Sequence, residues 1–300
     1  MKPAQAALLP ERGVVKVAGD VARTFLDGLV TSDLGQVAPG HARFAALLTP
    51  QGKIVADFIV AEASADDGGG FYLDVPRALT GTLVQKLNFY KLRAKVTVED
   101  LSESLGVMAA WDGPGTDTEY GLCYLDPRLP ELGLRVILPP SAATAAAADL
   151  GAVLANEADY DAHRIAHGVP RGGMDFMYGN AFPHETDMDQ LGGVDFDKGC
   201  FIGQEVVSRM EHRATARTRV IPLTYDGPAP DDGVPVLAGE RSIGTIGSTA
   251  NGHALATMRL DKLADALAQG QTITAGGLVL RPAKPAWARF AFPGDNKAAE

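Results

Sequence analysis

Hydrophobic positions in the first third of the chain alternate, or recur at helical spacing, in short and well-separated stretches. VVKVAG has the pattern of a strand, and the apolar residues that follow predict an amphipathic helix over residues 21–30 with Asp20 as its cap. HARFAALLTPQGKIVADFIVAEA predicts two strands joined by the turn TPQG, and FYLDV predicts another strand. A second helix is predicted over residues 77–92.

The middle of the chain continues this order of elements. AKVTVED, LGVMAAW and RLPELGLRVILP predict strands, whereas SAATAAAADLGAVLA and EADYDAHRIAHGVP predict helices. The succession strand–helix–strand–strand–helix–strand is typical of a ferredoxin-like unit with an antiparallel sheet. Helices segregated on such sheets make an α+β protein rather than a doubly wound one.

The pattern changes after Arg217. Short apolar stretches such as GVPVLAG, RSIGTIGSTA and QTITAGGLVLRPA are separated by Gly, Pro and Asp, and one predicted helix, LDKLADALAQG, interrupts them. This spacing is typical of a small β-barrel or sandwich. We therefore divide the chain into an α+β region of residues 1–217 and a β-barrel domain of residues 218–300.

Composition and charge narrow the possible partners. Of 300 residues, 46% are hydrophobic and 21% charged, and no apolar run reaches the ~20 residues that cross a bilayer. We therefore expect no membrane partner and, without a signal-peptide pattern, a cytoplasmic location. Two cysteines exclude a disulfide framework. The net charge of −10 argues against broad nucleic-acid binding, although RMEHRATARTR, residues 209–219, suits a polyanion such as a polyglutamate tail or RNA phosphate.

The segment VDFDKGCFIGQEVVSRM places one of the two cysteines, Cys200, among glycines and charged residues instead of apolar neighbours. A helical pattern resumes after Gly203, so Cys200 is predicted just before a helix N-terminus, with Lys198 two residues away. A helix dipole and a lysine both stabilise the thiolate, which is the reactive form of cysteine. The residues alone leave two interpretations open, a reactive thiol and a structural cysteine in a glycine-containing turn.

A second candidate segment, AFPHETDMDQLGGV, groups Glu185, Asp187 and Asp189 beside His184. Acids clustered with a histidine could bind a divalent metal or serve acid–base chemistry. A solvated acidic loop is the commoner origin of this pattern. From the residues alone we therefore expect a solvated loop, and we assign no metal site.

These two segments together carry a family resemblance. DKGCFIGQE, preceded by RIAHGVPRGG and FPHETDMDQLGGV, resembles the YgfZ family, folate-binding relatives of glycine-cleavage aminomethyltransferase (T-protein) that are implicated in iron–sulfur cluster assembly and repair. The family signature, Lys-Gly/Arg-Cys-aromatic-x-Gly-Gln-Glu, is complete here, and FLDGLVTSDL, LLTPQGKIVADFIV and LNFYKLRAKV extend the similarity. The resemblance implies an aminomethyltransferase-like folate-binding region of two interlocked ferredoxin-like units, followed by a C-terminal antiparallel β-barrel.

The resemblance also implies a cofactor, tetrahydrofolate or a derivative of it. Glu185 matches the glutamate of a Pro-x-Glu loop that binds the pterin in T-protein. A carboxylate there accepts adjacent N–H donors of the pterin bidentately. Gln204, Glu205 and Arg209 are the further residues expected to bind the cofactor.

Catalytic roles implied by the resemblance fall on three residues. Cys200 is the reactive or cluster-contacting thiol, and Lys198 tunes it. Asp57 is a candidate acid–base residue, because T-protein has a paired aspartate where this chain has Ala56 and Asp57. The loss of one member of that pair argues against aminomethyl transfer, and whether the chain is an enzyme stays open.

The resulting expectation is a cytoplasmic tetrahydrofolate-binding protein that supports assembly or repair of iron–sulfur clusters in client enzymes, and indirectly the thiomethylation of tRNA. Its expected partners are folate and iron–sulfur client or assembly proteins. An alternative is a folate-dependent one-carbon (aminomethyl or methyl) transferase with Asp57 or Glu185 as the acid–base group. A nucleic-acid-binding module that uses residues 209–219 ranks last, because the chain is acidic overall.

Overall fold

The strands of the described residues form two five-stranded sheets and one closed barrel. The computed structural model describes residues 3–213 and 216–293. Its contacts group into two compact units, one of Met1–Tyr160 and Leu191–Gln204, the other of Asp161–Gln190 and Glu205–Glu300. Both sheets belong to the first unit and the barrel belongs to the second.

The elements of the first unit follow the predicted order, with additions. In chain order they are β1 (Gln5–Leu8), β2 (Arg12–Ala18), α1 (Ala22–Asp27), β3 (Arg43–Leu48), β4 (Ile54–Glu62), β5 (Phe71–Pro76), α2 (Thr80–Tyr90), β6 (Thr97–Asp100), β7 (Gly106–Trp111), β8 (Leu122–Leu125), β9 (Leu134–Leu138), α3 (Ala143–Asp149) and β10 (Val153–Leu154). The first sheet, β3-β4-β5-β2-β6, is antiparallel throughout. The second, β10-β1-β7-β9-β8, is antiparallel except where β10 pairs with β1.

One hydrophobic core joins the first sheet to helices α1 and α2. Val15 of β2 and Phe58 of β4 belong to the same fully buried cluster as Leu26 of α1 and Leu83 and Leu87 of α2. Burying a side chain of this size stabilises the fold by roughly 1.5–3 kcal/mol. The apolar residues that alternate in the strands and those that recur at helical spacing in α2 therefore pack into the same core.

The first predicted helix is shorter than expected. Its periodicity predicts a helix over residues 21–30, whereas α1 begins at Ala22 and ends at Asp27, and Asp20 does not hold the N-cap position. Val30 instead forms a β-bridge with a residue of β3 and is fully buried. Pairing with the sheet therefore ends the helix earlier than its apolar spacing predicts.

Sequence periodicity did not predict β1, β8 or β10. The stretch SAATAAAADLGAVLA, predicted as one helix, contains both α3 and β10. Gly151 lies between them with a φ of +66°, a left-handed conformation that ends the helix. The two residues of β10 are then extended and pair in parallel with β1.

The prediction of a C-terminal antiparallel β-barrel is confirmed. The remaining elements of the chain are α4 (Glu157–Ala166), α5 (Gln204–Arg213), β11 (Thr218–Tyr225), β12 (Pro235–Ala238), β13 (Arg241–Ala250), β14 (His253–Arg259), α6 (Leu260–Ala268), β15 (Ile273–Ala275) and β16 (Leu278–Pro282). The barrel order is β11-β14-β13-β12-β15-β16, and it closes because β11 pairs with both β14 and β16. The confirmed fold is thus α+β, with the barrel at the C-terminal end.

The boundaries of the two compact units differ from our division of the chain after residue 217. Residues 161–190 and 205–217 group with the barrel, although the barrel strands themselves begin at Thr218. The division into residues 1–217 and 218–300 therefore stays a proposal about domain organisation.

A buried charge network joins the two sheets of the first unit. Arg135 of β9 donates to Asp74 of β5 at 2.7 Å and to Asp126 at 2.8 Å, and the Tyr124 hydroxyl donates to Asp74 at 3.1 Å. Burial raises the pKa of the Asp74 carboxyl, but the guanidinium groups of Arg12 and Arg135 outweigh burial and hold that pKa below its usual value. Asp74 is therefore ionised at neutral pH and fully engaged.

Replacing Arg135 by Met leaves the buried carboxylates of Asp74 and Asp126 without the guanidinium they share. Removal of one partner from a buried ion pair typically destabilises a protein by about 3–5 kcal/mol. We expect Arg135→Met to lower the free energy of unfolding by that amount, as measured by urea denaturation.

The matched control is Arg281→Met. Arg281 pairs with Asp226 at 2.8 Å, but the two side chains are 60% and 85% exposed. An exposed pair contributes about 1 kcal/mol or less. Equal losses in the two variants would contradict the importance assigned to the buried network.

Candidate functional site

The segment that carries Cys200 is a loop fastened to the first unit. Asp195 organises it, because its Oδ1 accepts the backbone N–H groups of Asp197 at 3.0 Å and Lys198 at 3.2 Å. The N–H of Asp195 donates to the carbonyl of Thr31 at 2.9 Å. Thr31 is fully buried, so the loop is attached to a fixed point of the unit.

Lys198 anchors the same loop. Only 3% of its side chain is exposed, and its ammonium group donates to the carbonyl oxygens of Asp27 at 2.7 Å, Val30 at 2.9 Å and Ser32 at 2.9 Å. Carbonyl groups at the end of α1 lack intrahelical donors, and a cation there complements the helix dipole. Lys198 therefore has a structural role in holding the loop, and its predicted effect on the thiol stays a proposal.

Cys200 is an exposed residue of this anchored loop, as are Asp197 and Gly199. Phe201 is buried, and Gly203 has a φ of +80° with space for no side chain, since a Cβ would lie 2.5 Å from the carbonyl oxygen of Thr49. Cys200 is exposed to solvent, and three residues separate it from the first residue of α5. The predicted accessible cysteine ahead of a helix is therefore present in the structure.

Cys123, the other cysteine, lies in a different environment. It belongs to β8 and is partly buried. Burial, with Asp117 adding to it, raises the pKa of the Cys123 thiol to about 12. Cys123 is therefore protonated at neutral pH.

Glu185 lies in the second unit, in the short 3₁₀ turn Pro183–Thr186. Its Oε2 accepts the backbone N–H of Phe182 at 2.9 Å, so the side chain caps its own turn. The same side chain lines two cavities of the second unit, of about 490 Å³ and about 400 Å³. Glu185 is thus held in place at the wall of a ligand-sized space.

The residues of the larger cavity fit a pterin. Its volume lies in the range of small-molecule sites, and Phe176 and Ile246 supply apolar walls beside the amide of Asn180. Each carboxylate oxygen has two lone pairs, so Glu185 accepts further N–H donors after its bond to Phe182. The cavity therefore combines apolar walls with a fixed carboxylate, as recognition of a planar N–H-rich ring requires.

The acidic stretch after Glu185 is buried, and the expectation of a solvated loop is wrong. Arg219 explains the burial, because it donates to both carboxylate oxygens of Asp189, at 2.6 and 2.9 Å, and lies 3.2 Å from Asp187. Burial raises the pKa of Asp187 well above its usual value, and Arg219 only partly offsets that effect. Arg219, which we assigned to a polyanion-binding stretch, is itself buried in this network.

His184 extends the network towards α5. Its Nε2 lies 3.0 Å from Oε2 of Glu211, and potential ligand atoms of His184, Asp189 and Glu211 lie within 4.8 Å of one another. Both oxygens of Asp189 are already engaged by Arg219. The Arg219–Asp189 ion pair and the hydrogen bond between His184 and Glu211 therefore account for this group, and we assign no metal to it.

The other predicted residues lie outside the two cavities. Asp57 is buried in β4 opposite Ala46, Gln204 and Glu205 begin α5, and Arg209 is exposed on that helix. None of these four side chains lines either cavity. The predicted residues are divided between the compact units, with Asp57, Lys198, Cys200 and Gln204 in the first and Glu185, Glu205 and Arg209 in the second.

Comparison with known proteins assigns both ends of the chain. The GCVT N-terminal domain model matches residues 11–117, and the model of the CAF17 C-terminal beta-barrel domain matches residues 217–290. The solved structure of glycine cleavage system aminomethyltransferase T from Bartonella henselae superposes with a TM-score of 0.74, covering 95% of this chain and 86% of that one at 16% identity. At that identity the likeness shows the fold alone, and it confirms the aminomethyltransferase-like fold.

Curated relatives carry the name iron–sulfur cluster assembly factor IBA57. The protein of Mus musculus is 32% identical over 247 residues, 75% of this chain and 68% of the relative, and that of Homo sapiens is 31% identical over the same shares. The homolog of Mycosarcoma maydis is 34% identical over 232 residues, 73% of this chain. That match spans 57% of the Mycosarcoma protein, and the match to Chaetomium globosum spans 64% of its protein, so the chain covers less than two thirds of these longer relatives.

The expectation of a cytoplasmic location is wrong by this comparison. The relatives from fungi, mouse and human are all named as mitochondrial proteins. No helix in the described part of the chain is both long enough and apolar enough to span a bilayer. The names of the relatives therefore point to the mitochondrion and not to the cytoplasm.

The two domain models and the relatives agree on one assignment. The GcvT-like match precedes the barrel match along this chain, and the mouse and human proteins are covered over more than two thirds of their length. The chain therefore belongs to the CAF17/IBA57-type family, in which a GcvT-like region precedes a C-terminal β-barrel.

Proposed function

We propose that this chain supports the assembly or repair of iron–sulfur clusters in client proteins, as a tetrahydrofolate-binding member of the YgfZ branch of its family. The exposed thiol of Cys200 on an anchored loop is the observation that carries the proposal. The names of the relatives and the match to the family support it. An indirect effect on the thiomethylation of tRNA would follow from service to the enzymes that perform it.

The residues on either side of Cys200 have structural roles, whereas Cys200 itself has none that is evident. Lys198 binds three backbone carbonyls, Phe201 is buried, and Gly203 fills a space that admits no side chain. Each of these residues is explained by packing or hydrogen bonding. Cys200 makes no comparable structural contribution from its exposed position, so a reactive role explains its presence better than a structural one.

One thiol cannot hold an iron–sulfur cluster by itself, so Cys200 would contact a cluster only together with ligands from another protein. Iron–sulfur clusters are generally held by four protein ligands, mostly cysteine thiolates. The chain has two cysteines, and Cys123 is partly buried and protonated at neutral pH. The cluster is therefore cargo whose other ligands come from a partner protein, with Cys200 as the contact that this chain supplies.

Tetrahydrofolate is assigned to the cavities at Glu185. The Glu185 carboxylate would accept the N–H donors of the pterin, with Phe176 and Ile246 covering the ring. The second cavity adds Arg217, whose charge suits the carboxylates of the glutamate tail, beside Arg259, which pairs with Asp261. When bound, the cofactor supplies a carrier for one-carbon units, while the residues of the chain bind and orient it.

The alternative, a folate-dependent one-carbon transferase, needs Asp57 or Glu185 as its acid–base group, and Asp57 is the one that folate binding does not already employ. This residue is buried in β4 and lines neither of the two described cavities. Turnover of an aminomethyl or N-methyl donor with tetrahydrofolate, lost in Asp57→Asn, would favour the transferase. Folate binding without turnover favours the assembly role.

Cys200→Ser is expected to abolish function without weakening the fold. In a strain that lacks its own homologue, the wild-type chain should restore the activity of iron–sulfur enzymes and Cys200→Ser should not. The exposed substitution should change the free energy of unfolding by no more than about 0.5 kcal/mol. Cys123→Ser is the matched control and should restore activity; full rescue by Cys200→Ser would contradict the proposal.

Cys200 is expected to react with iodoacetamide much faster than Cys123 at pH 8. Alkylation requires a thiolate, and a thiol of pKa about 12 is ionised to roughly one part in ten thousand at that pH. Mass spectrometry of the native chain measures the two rates directly. Similar rates would contradict the difference in reactivity between the two thiols on which the role of Cys200 rests.

Glu185→Gln is expected to weaken tetrahydrofolate binding roughly ten- to a hundredfold, which is the loss expected when a charge-assisted bond becomes neutral. Gln retains an oxygen for the N–H of Phe182, so the turn is preserved. Isothermal titration calorimetry measures the affinity. The matched control is Asp232→Asn, an exposed carboxyl of the same cavity, and it should change the affinity by less than about threefold.

A further inference from the structure

The C-terminal end of α2 carries two apolar side chains that the fold leaves in water. Phe89 is 69% exposed and Leu92 is 86% exposed, the highest values among the large hydrophobic residues of the described chain. The Phe89 ring packs edge-on against Tyr90, which is itself packed on the core, at 5.3 Å between centroids. Phe89 is therefore held in position although its outer surface is exposed.

Leu92 occupies a backbone position that leucine disfavours. It follows Lys91, the C-cap of α2, and has a φ of +44°. Glycine or asparagine is the usual residue at this left-handed position after a helix, because a Cβ there is strained. The leucine therefore contributes nothing evident to the fold, since its conformation is unfavourable and its side chain is exposed.

Four cations lie within six residues of these two side chains in the sequence. Lys86, Lys91, Arg93 and Lys95 form no ion pair within the described residues. No acidic residue occurs between Asp74 and Glu99, in a chain whose net charge is −10. By contrast, Arg12, Arg128 and Arg135 of the same unit all pair with carboxylates. Carboxylates therefore neutralise these three arginines, whereas none pairs with the four cations at the end of α2 within the described residues.

We propose that this α2-end surface, formed by Lys86, Phe89, Lys91, Leu92, Arg93 and Lys95, docks on an anionic membrane surface. The proposal is independent of the iron–sulfur role. Docking of this kind needs no spanning helix, so the lack of a long apolar run, from which we expected no membrane partner, does not bear on it. Phe89 lies in the last turn of α2 and Leu92 lies three residues later, just beyond the C-cap, and both exposed side chains would enter the interface.

The composition of the surface favours lipid over a protein partner. Three of the four cations are lysines, which are depleted from protein interfaces, where arginine is enriched. Lysine is a flexible point charge and suits a fluid layer of phosphates, whereas the planar guanidinium of arginine suits fixed carboxylates. The remainder of the chain is strongly acidic and is repelled by an anionic layer, so the charges also select this surface for contact.

The affinity of the α2-end surface for an anionic bilayer depends both on its cations and on the insertion of its apolar side chains. Each cation close to an anionic bilayer increases binding about fivefold, and an inserted leucine about tenfold or more. These effects multiply for the whole surface. Salt weakens the electrostatic part but leaves the apolar part in place.

Leu92→Asn tests the apolar contact without loss of stability. Asparagine tolerates the left-handed backbone, so the melting temperature should stay equal or rise. Co-sedimentation of the full chain with phosphatidylcholine vesicles that contain phosphatidylserine should show binding by the wild type and roughly tenfold weaker binding by Leu92→Asn. Lys91→Gln combined with Arg93→Gln should weaken binding by about 25-fold and reduce its salt dependence.

The matched controls are Leu125→Asn and Arg241→Gln. Leu125 is 58% exposed in β8, and Arg241 is an exposed cation in β13. Neither should change vesicle binding. Absence of wild-type binding would overturn the proposal and leave a protein partner as the occupant of the surface. Equal binding to vesicles of phosphatidylcholine alone, or equal binding by all variants, would overturn it as well.

Discussion

The buried pair of Asp74 and Arg135 is the contact on which the first unit depends. One side chain comes from each sheet, and neither charge reaches water, so the pair is satisfied in one register of the two sheets. A slip by one residue would turn each side chain to the opposite face of its strand. α1 packs on the first sheet through Leu26, and Lys198 binds the end of that helix. The register of the sheets and the place of the Cys200 loop are therefore fixed through one chain of contacts.

Periodicity predicted most strands and the barrel because those elements are defined by which of their own residues are buried. It did not identify the charged network. FYLDV and GLRVIL each carry one charge inside an apolar strand, which indicates a partner but not its identity, and Arg135 lies 61 residues from Asp74. The early end of α1 has the same origin, since Val30 leaves the helix to pair with a strand that is distant in sequence. Local pattern predicts the element, and tertiary contact decides where it stops.

The candidate site, like the fold, could be predicted from the sequence only in part. The signature around Cys200 is contiguous and was visible in the sequence, as was the glutamate at Glu185. The partners of Lys198 lie 166–171 residues away, and Arg219 lies 30–32 residues from the aspartates that it holds. Proximity along the chain placed the aspartates in solvent, whereas the structure pairs them with Arg219. The ammonium group of Lys198 binds carbonyls that are distant in sequence, and its predicted effect on the thiol stays a proposal. A charged residue's neighbours in sequence are a poor guide to the charge that it meets.

Two residues, Cys200 and Leu92, make no evident contribution to stability, and this makes them informative about function. Selection for folding alone would favour glycine or asparagine after α2, and it gives no reason for an exposed thiol in a loop that Lys198 and Asp195 anchor. Real proteins break local rules at functional positions and compensate elsewhere. In the first unit the compensation is visible in Asp74, Arg135 and Lys198, whose enclosed contacts stabilise a fold that leaves Cys200 and Leu92 exposed. Function is therefore best sought at these exposed residues, since the buried charges are already explained by the partners that they hold.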